Sequence, residues 1–292
     1  MKIDLYFSFR SPYSYLILPR MLKLKSEYDI KINFKIVYPL AIRMPEFFKN
    51  KGLPYFIALS ADVRRNAKKL GMPFTTKLKP DPIKQNLMTG TISKQQPYIF
   101  DICHLGQMAH IKGVGIEFAY EVSSLIFGGT KNWNHDDNLS KAAENVALDL
   151  HSLRASTKEQ ETEIIKQIEQ NQVDQLNAGH HGVPLTVFEE KFFFGQDRFD
   201  DVVKLLKEKV VQNPKISFLW DTRITEVFGI DKVEKIKLES TTGQQTWLDV
   251  KGVFIYVGRI PPTLPYNMEI QLDLMKICFV ASFIRVNFTL SN

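Results

Sequence analysis

Apolar and polar residues alternate over Lys2–Phe7 and again over Asp29–Val37, the two-residue period of a strand. Between them, Ser11-Pro12 opens a helical stretch that runs to about Leu24. Serine is a favoured helix cap, and proline is favoured at the first helical position because it has no N–H to leave unpaired. A strand, a helix and a strand in close succession predict a right-handed βαβ unit.

From about Ala41 to Asn177 the spacing is mostly helical. Phe56–Leu70 ends at Gly71, a helix stop, and Phe100–Phe127 and Asn138–Leu153 show similar apolar spacing. Glu159–Leu176 is a charged amphipathic helix. Strand signals return at Pro184–Phe188 and Lys191–Phe194 across a Glu189-Glu190 turn, and Asp197–Lys207 is a last helix. A βαβ half and a ββα half thus bracket a block of helices. This order predicts an α/β protein with a thioredoxin fold and a large helical insertion over residues 41–177 of a 1–208 domain. Beyond it, Lys215–Leu219, Lys232–Leu238 and Trp247–Val257 read as strands with no helix between them, a small β-rich appendage over 209–263. Residues 264–292 form an unassigned tail.

The chain has 292 residues, 44% hydrophobic and 24% charged, ordinary for a globular protein. Its net charge of +6 is spread over Lys-rich helices. No basic run is interleaved with stacking aromatics, so no nucleic-acid partner is expected. Ile277–Ile284 is far shorter than the roughly 20 residues that a bilayer span needs, and no membrane partner is expected. Two cysteines, Cys103 and Cys278, form no CxxC and fit a reducing compartment. No signal peptide is evident at the N-terminus, and a cytoplasmic protein is expected.

Three constellations carry candidate chemistry. Phe9-Arg10-Ser11-Pro12-Tyr13-Ser14-Tyr15 lies where the first strand meets the first helix. A helix N-terminus has free N–H groups and partial positive charge, so it favours an anion. Thioredoxin-type enzymes place their own thiolate there. This chain has Ser11, whose hydroxyl can donate to the thiolate of another molecule. Gly182-Val183-Pro184 precedes a strand, and a cis bond there would leave the Val183 backbone free for a peptide-like ligand. Phe194-Gly195-Gln196-Asp197-Arg198 opens the last helix, where Gln196 and Asp197 could grip an ammonium and a carboxylate. Taken singly, these are a helix cap, a loop proline and another cap. Adjacent His180 and His181 are expected to point apart and to bind no metal. Phe47, Phe48, Tyr55 and Phe56 read as core, with a wall for an aromatic substrate as the other reading.

Together the motifs FSFRSPYSYL, LSADVRRNAKKLGMPF, HHGVPLTVF and FFFGQDRFDDVVKLL resemble 2-hydroxychromene-2-carboxylate isomerases and kappa-class glutathione transferases, in the DsbA-like branch of thioredoxin folds. The resemblance covers residues 1 to about 208. It implies glutathione as cofactor, Ser11 as the catalytic hydrogen-bond donor to its sulfur, and Val183 with Pro184 pairing its backbone. Gln196 and Asp197 would hold its γ-glutamyl end, and Asn50 would lie near it. It further implies a glutathione-dependent isomerase of aromatic-degradation intermediates, with a kappa-type transferase or peroxidase, or a non-catalytic chimera with a disrupted site, as the other readings. The substrate would be a small molecule, an aromatic carboxylate, and a homodimer stays open. Departures fall at Ser8, where the family often has Asp, at Leu185, where it has Thr, and at Asn66, where a bulky residue is common.

Asn213–Trp220, Lys232–Leu238 and Gly252–Thr263 resemble an internal piece of bacterial thioredoxin reductase. Neither the glycine-rich turn of a dinucleotide site nor a redox CxxC occurs in the chain, so neither flavin nor nicotinamide is expected there.

Overall fold

The computed structural model describes residues 1–28, 30–49, 51–85, 92–212, 217–219, 221–253 and 279–280. The chain divides into two compact units, Met1–Val202 and Val203–Asn292.

In the first unit, β1 (Lys2–Phe7), α1 (Pro12–Tyr28) and β2 (Lys31–Ile36) form the βαβ element, with β1 and β2 parallel. The strand β3 (Leu185–Phe188) lies antiparallel to β1, and β4 (Lys191–Phe194) antiparallel to β3. The sheet order is β2-β1-β3-β4, and α1 crosses between the parallel pair. Leu5 and Phe7 of β1 are fully buried, while β2 alternates buried and partly exposed positions. The β3–β4 turn falls at Glu189 and Glu190, both with positive φ, which suits the twist of a two-residue hairpin.

Between β2 and β3 come α2 (Leu40–Arg43), α3 (Glu46–Lys49), α4 (Leu53–Lys69), α5 (Pro97–Ile111), α6 (Gly115–Gly128), α7 (Asp136–Glu144), α8 (Leu150–Glu159) and α9 (Glu161–Asn177). The stretch expected over Phe100–Phe127 is therefore two helices. Gly113 at φ 90 ends the first, and Gly115 lies so close to His110 that a Cβ would meet its backbone at 2.6 Å. Asn138–Leu153 is likewise split, at Ala147 with φ 59, and Asp149 caps the new helix by accepting from the Ser152 N–H at 2.8 Å. Helix α5 lies directly on the sheet. A Cβ on Gly106 would meet Ile36 and Phe9 at 2.8 Å.

The helix α10 (Phe199–Val211) contains the boundary between the units. In the second unit, β5 (Ser217–Phe218) pairs with β9 (Phe279–Val280), and β6 (Thr222–Phe228), β7 (Lys235–Ser240) and β8 (Gln245–Asp249) form an antiparallel meander. Ile236, Leu238 and Val250 are its buried core. β6 lies outside the strands that the apolar pattern predicts, because its side chains are mostly exposed.

Candidate functional site

Ser11 caps α1. Its Oγ accepts the Ser14 N–H at 3.2 Å and donates to the Val183 carbonyl at 3.3 Å. The first turn of α1 carries no acid, so nothing there offsets the helix's positive end. The Val183–Pro184 bond is cis, as expected. The Pro184 carbonyl accepts the Gly195 N–H at 2.9 Å, which ties the loop to the turn at Gln196–Arg198. These bonds bring the three sequence constellations to one place. Among the described residues the Val183 N–H has no acceptor.

The loop ahead of Val183 is held from several sides. Gln175 donates to the Gly182 carbonyl at 2.7 Å, and Arg43 to the His181 carbonyl at 3.0 Å and the Tyr38 carbonyl at 2.6 Å. Burial pulls the Arg43 pKa down to about 10. The His180 Nδ1 accepts the Gly182 N–H at 2.9 Å. His180 and His181 do not point apart: their rings stack at 5.1 Å, with His180 against Phe194 at 3.9 Å. Both rings are thus loop supports.

Gln196 is buried and Asp197 exposed. Arg20 donates to the Gln196 carbonyl at 2.9 Å and to its side-chain oxygen, and the Gln196 amide donates to Asp197. Gln196 therefore faces inward and orients the Asp197 carboxylate. Asn50 lies outside the described residues. Ser8 is buried, and its hydroxyl has no partner among the described residues. Leu185 is buried with Tyr6 and Val37 and has no hydroxyl to offer.

Two pairs beside Ser11 were not read from the sequence. Arg10 grips Asp81 through two bonds of 2.7 Å. The Tyr13 hydroxyl donates to Asp62 at 2.7 Å, and Arg65 and Asn66 also reach that carboxylate. The Tyr13 bond, with those from its helix neighbours, holds Asp62 below the usual carboxylate range. Burial, then the Asp62 contact, pushes the Tyr13 hydroxyl up.

Phe47, Phe48, Tyr55 and Phe56 do not form core. They make a chain of ring contacts from 4.9 to 6.2 Å that starts at His181, with Phe56 at 40% exposure. Lys51 lies over Phe47 and Tyr55. Phe47 and Phe48 lie on the four-residue helix α3, and Tyr55 and Phe56 lie in the exposed first turn of α4.

His104, His110 and His180 all titrate below the ordinary imidazole value, chiefly because burial disfavours the charged ring. The unfolded chain then binds protons first as pH falls through about 6.5, so acidification removes stability from that point downward. The depressed carboxylates Asp62 and Asp174 add their loss only nearer pH 4, roughly their unfolded value. Melting temperature should fall steadily between about pH 7 and pH 5. A flat or rising profile across that window contradicts this assignment.

Residues 2–207 match the family of DSBA-like thioredoxin domains, and the chain belongs to that family. Its fold is a DsbA-like thioredoxin fold with many helices and a small antiparallel sheet near the C-terminus. A 2-hydroxychromene-2-carboxylate isomerase structure superposes with a TM-score of 0.55 at 17% identity, covering 73% of this chain and 98% of that one. A probable DsbA oxidoreductase from Streptomyces coelicolor gives 0.53 at 15%, covering 80% and 98%. These two likenesses concern the fold. The expected partial likeness to thioredoxin reductase is also present. The curated enzyme of Streptomyces coelicolor is 38% identical over 71 residues, 24% of this chain and 22% of its own length. That of Mycolicibacterium smegmatis is also 38% identical over 71 residues, covering 24% and 23%. The chain thus spans less than a quarter of these relatives. Among the described residues no helix is long and apolar enough to cross a membrane, and no group of His, Cys, Asp or Glu could hold a metal.

Proposed function

We propose that the chain is a glutathione-dependent isomerase of the 2-hydroxychromene-2-carboxylate type, acting on aromatic-degradation intermediates. The observation that carries this reading is the Ser11 hydroxyl at the N-terminus of α1, hydrogen-bonded to Val183. Glutathione suits these residues: a donor hydroxyl and an uncompensated helix end for a thiolate, an unused N–H at Val183 for a peptide carbonyl, and an exposed carboxylate at Asp197 for an ammonium. When bound, it supplies a thiolate that can add reversibly to an activated carbon–carbon double bond. Ser11 then turns its proton from the Val183 carbonyl to the sulfur and lowers the cost of the anion. Val183 and Asp197 fix the tripeptide's orientation, with Gln196 aligning Asp197. The half-exposed rings Phe47, Phe48, Tyr55 and Phe56 offer a face for a planar substrate, and Lys51 and Arg43 favour an anionic one. A cytoplasmic location accords with glutathione supply.

The second reading is a kappa-type transferase or peroxidase at the same site. A disulfide oxidoreductase is disfavoured because position 11 is not cysteine. Product analysis with glutathione and a cis-configured aromatic enone acid separates the readings. Isomerisation returns the trans acid with free glutathione, whereas transfer leaves a conjugate. Conversion of neither kind with such acids would leave the isomerase reading without support.

A further inference from the structure

A cleft of about 830 Å³ opens between α5, α8 and α9, lined by none of the residues assigned above to the Ser11 site. Its wall is aromatic and ordered. Phe100 and His104 stack on one face of α5, with centroids 6.4 Å apart and planes at 15°. Tyr38 meets Phe100 edge-on at 5.0 Å, and its hydroxyl lies 2.9 Å from the His104 Nε2. Leu105 and Ile165 extend the apolar surface. The rim is fixed as well. The buried Gln96 amide donates to the Lys84 and Ser93 carbonyls at 2.7 and 2.8 Å, and its oxygen accepts the Lys84 N–H at 2.8 Å. The cleft is open to solvent and pairs an aromatic floor with a polar and charged rim, a form suited to a small amphipathic ligand.

Charge narrows the ligand. Arg154 is bound to Asp101 at 2.9 and 3.1 Å and to Asp136 at 2.9 Å, so that part of the lining is neutralised. Lys94 and Lys158 are exposed at the rim and make no ion pair among the described residues, against the single acid Glu161. Counted with Asp136 the charges balance, so the preference for an anion rests on the two rim cations unpaired among the described residues, Lys94 and Lys158. Burial lowers the His104 pKa, so at neutral pH the imidazole is an uncharged stacking and hydrogen-bonding surface.

We propose that this cleft is a second ligand site, separate from the Ser11 site, which takes a planar aromatic monoanion stacked on Phe100 and His104 with its anionic group at Lys94 and Lys158. Tyr38 belongs to both surroundings. Its hydroxyl meets His104, and its carbonyl is held by Arg43, which also holds the loop before Val183.

Calorimetric titration of the full chain with 2-naphthoate, in the presence of saturating glutathione, tests this. Saturable binding is expected, weakened about tenfold or more by the double substitution Lys94→Glu/Lys158→Glu and by the cationic probe 2-naphthylmethylamine. Both lysines are exposed, so the double variant should melt like the parent. The same probe should also register at the Phe56 face, as a separate event that Phe56→Ser removes while leaving the lysine-dependent event within about twofold. The absence of saturable binding, an unchanged affinity in the lysine variant, or a loss confined to Phe56→Ser would overturn the assignment.

Discussion

Ser11→Ala should lower turnover by about ten- to a hundredfold while changing glutathione affinity far less, because a hydrogen bond to a thiolate is worth about 1.5–3 kcal/mol. The hydroxyl has two duties that can be separated. As a cap it satisfies the Ser14 N–H, and losing that costs about 1 kcal/mol of stability. As a donor it now serves the Val183 carbonyl and would serve a sulfur anion in the working enzyme. Ser11→Asn keeps a capping oxygen but moves the donor, so it should recover melting temperature without recovering turnover. Equal turnover in parent and Ser11→Ala would remove Ser11 from the catalytic role.

The second large effect is expected at a residue that touches no candidate ligand. Trp133 is 1% exposed, and its indole N–H donates to the Pro80 carbonyl at 2.8 Å. The next residue, Asp81, holds Arg10, which directly precedes Ser11. Trp133→Ala should cost about 3–5 kcal/mol through the cavity it leaves. For a domain of this size that lowers the melting temperature by roughly 10 °C. Turnover should fall too, since the Asp81 carboxylate loses its backing. Trp133→Phe keeps most of the ring and should lose only about 1 kcal/mol, near the net worth of one hydrogen bond. Thermal melts of the three proteins check this, and a Trp133→Ala protein as stable as the parent would contradict it.

What the sequence disclosed follows from the range of the forces involved. Lys2–Phe7 is legible to the residue because side-chain alternation is a local signal, and Lys191–Phe194 because a run of phenylalanines after a turn favours a strand. The α1 start was legible because a serine cap and a proline at the first position act within one turn. The meeting of Ser11, Val183–Pro184 and the Gly195 turn followed from element order once the βαβ and ββα halves were recognised. Periodicity gives no account of pairings between distant segments. Arg10 and Asp81 are 71 residues apart, Tyr13 and Asp62 49, and Arg43 and His181 138. The exposure of Phe47 to Phe56 was misjudged for a related reason. Aromatic composition predicts burial only where another element covers the face that carries it, and the first turn of α4 is exposed. Breaks at Gly113 and Ala147 depend on single left-handed residues, which apolar spacing does not register.

Calorimetric titration of the full-length protein with reduced glutathione tests the central claim most directly. Saturable binding is predicted, weakened when Asp197→Ala removes the exposed carboxylate and little altered by Ser11→Ala. No binding at millimolar glutathione, about the concentration range at which a weak site still registers, would contradict the glutathione assignment of the Ser11 site.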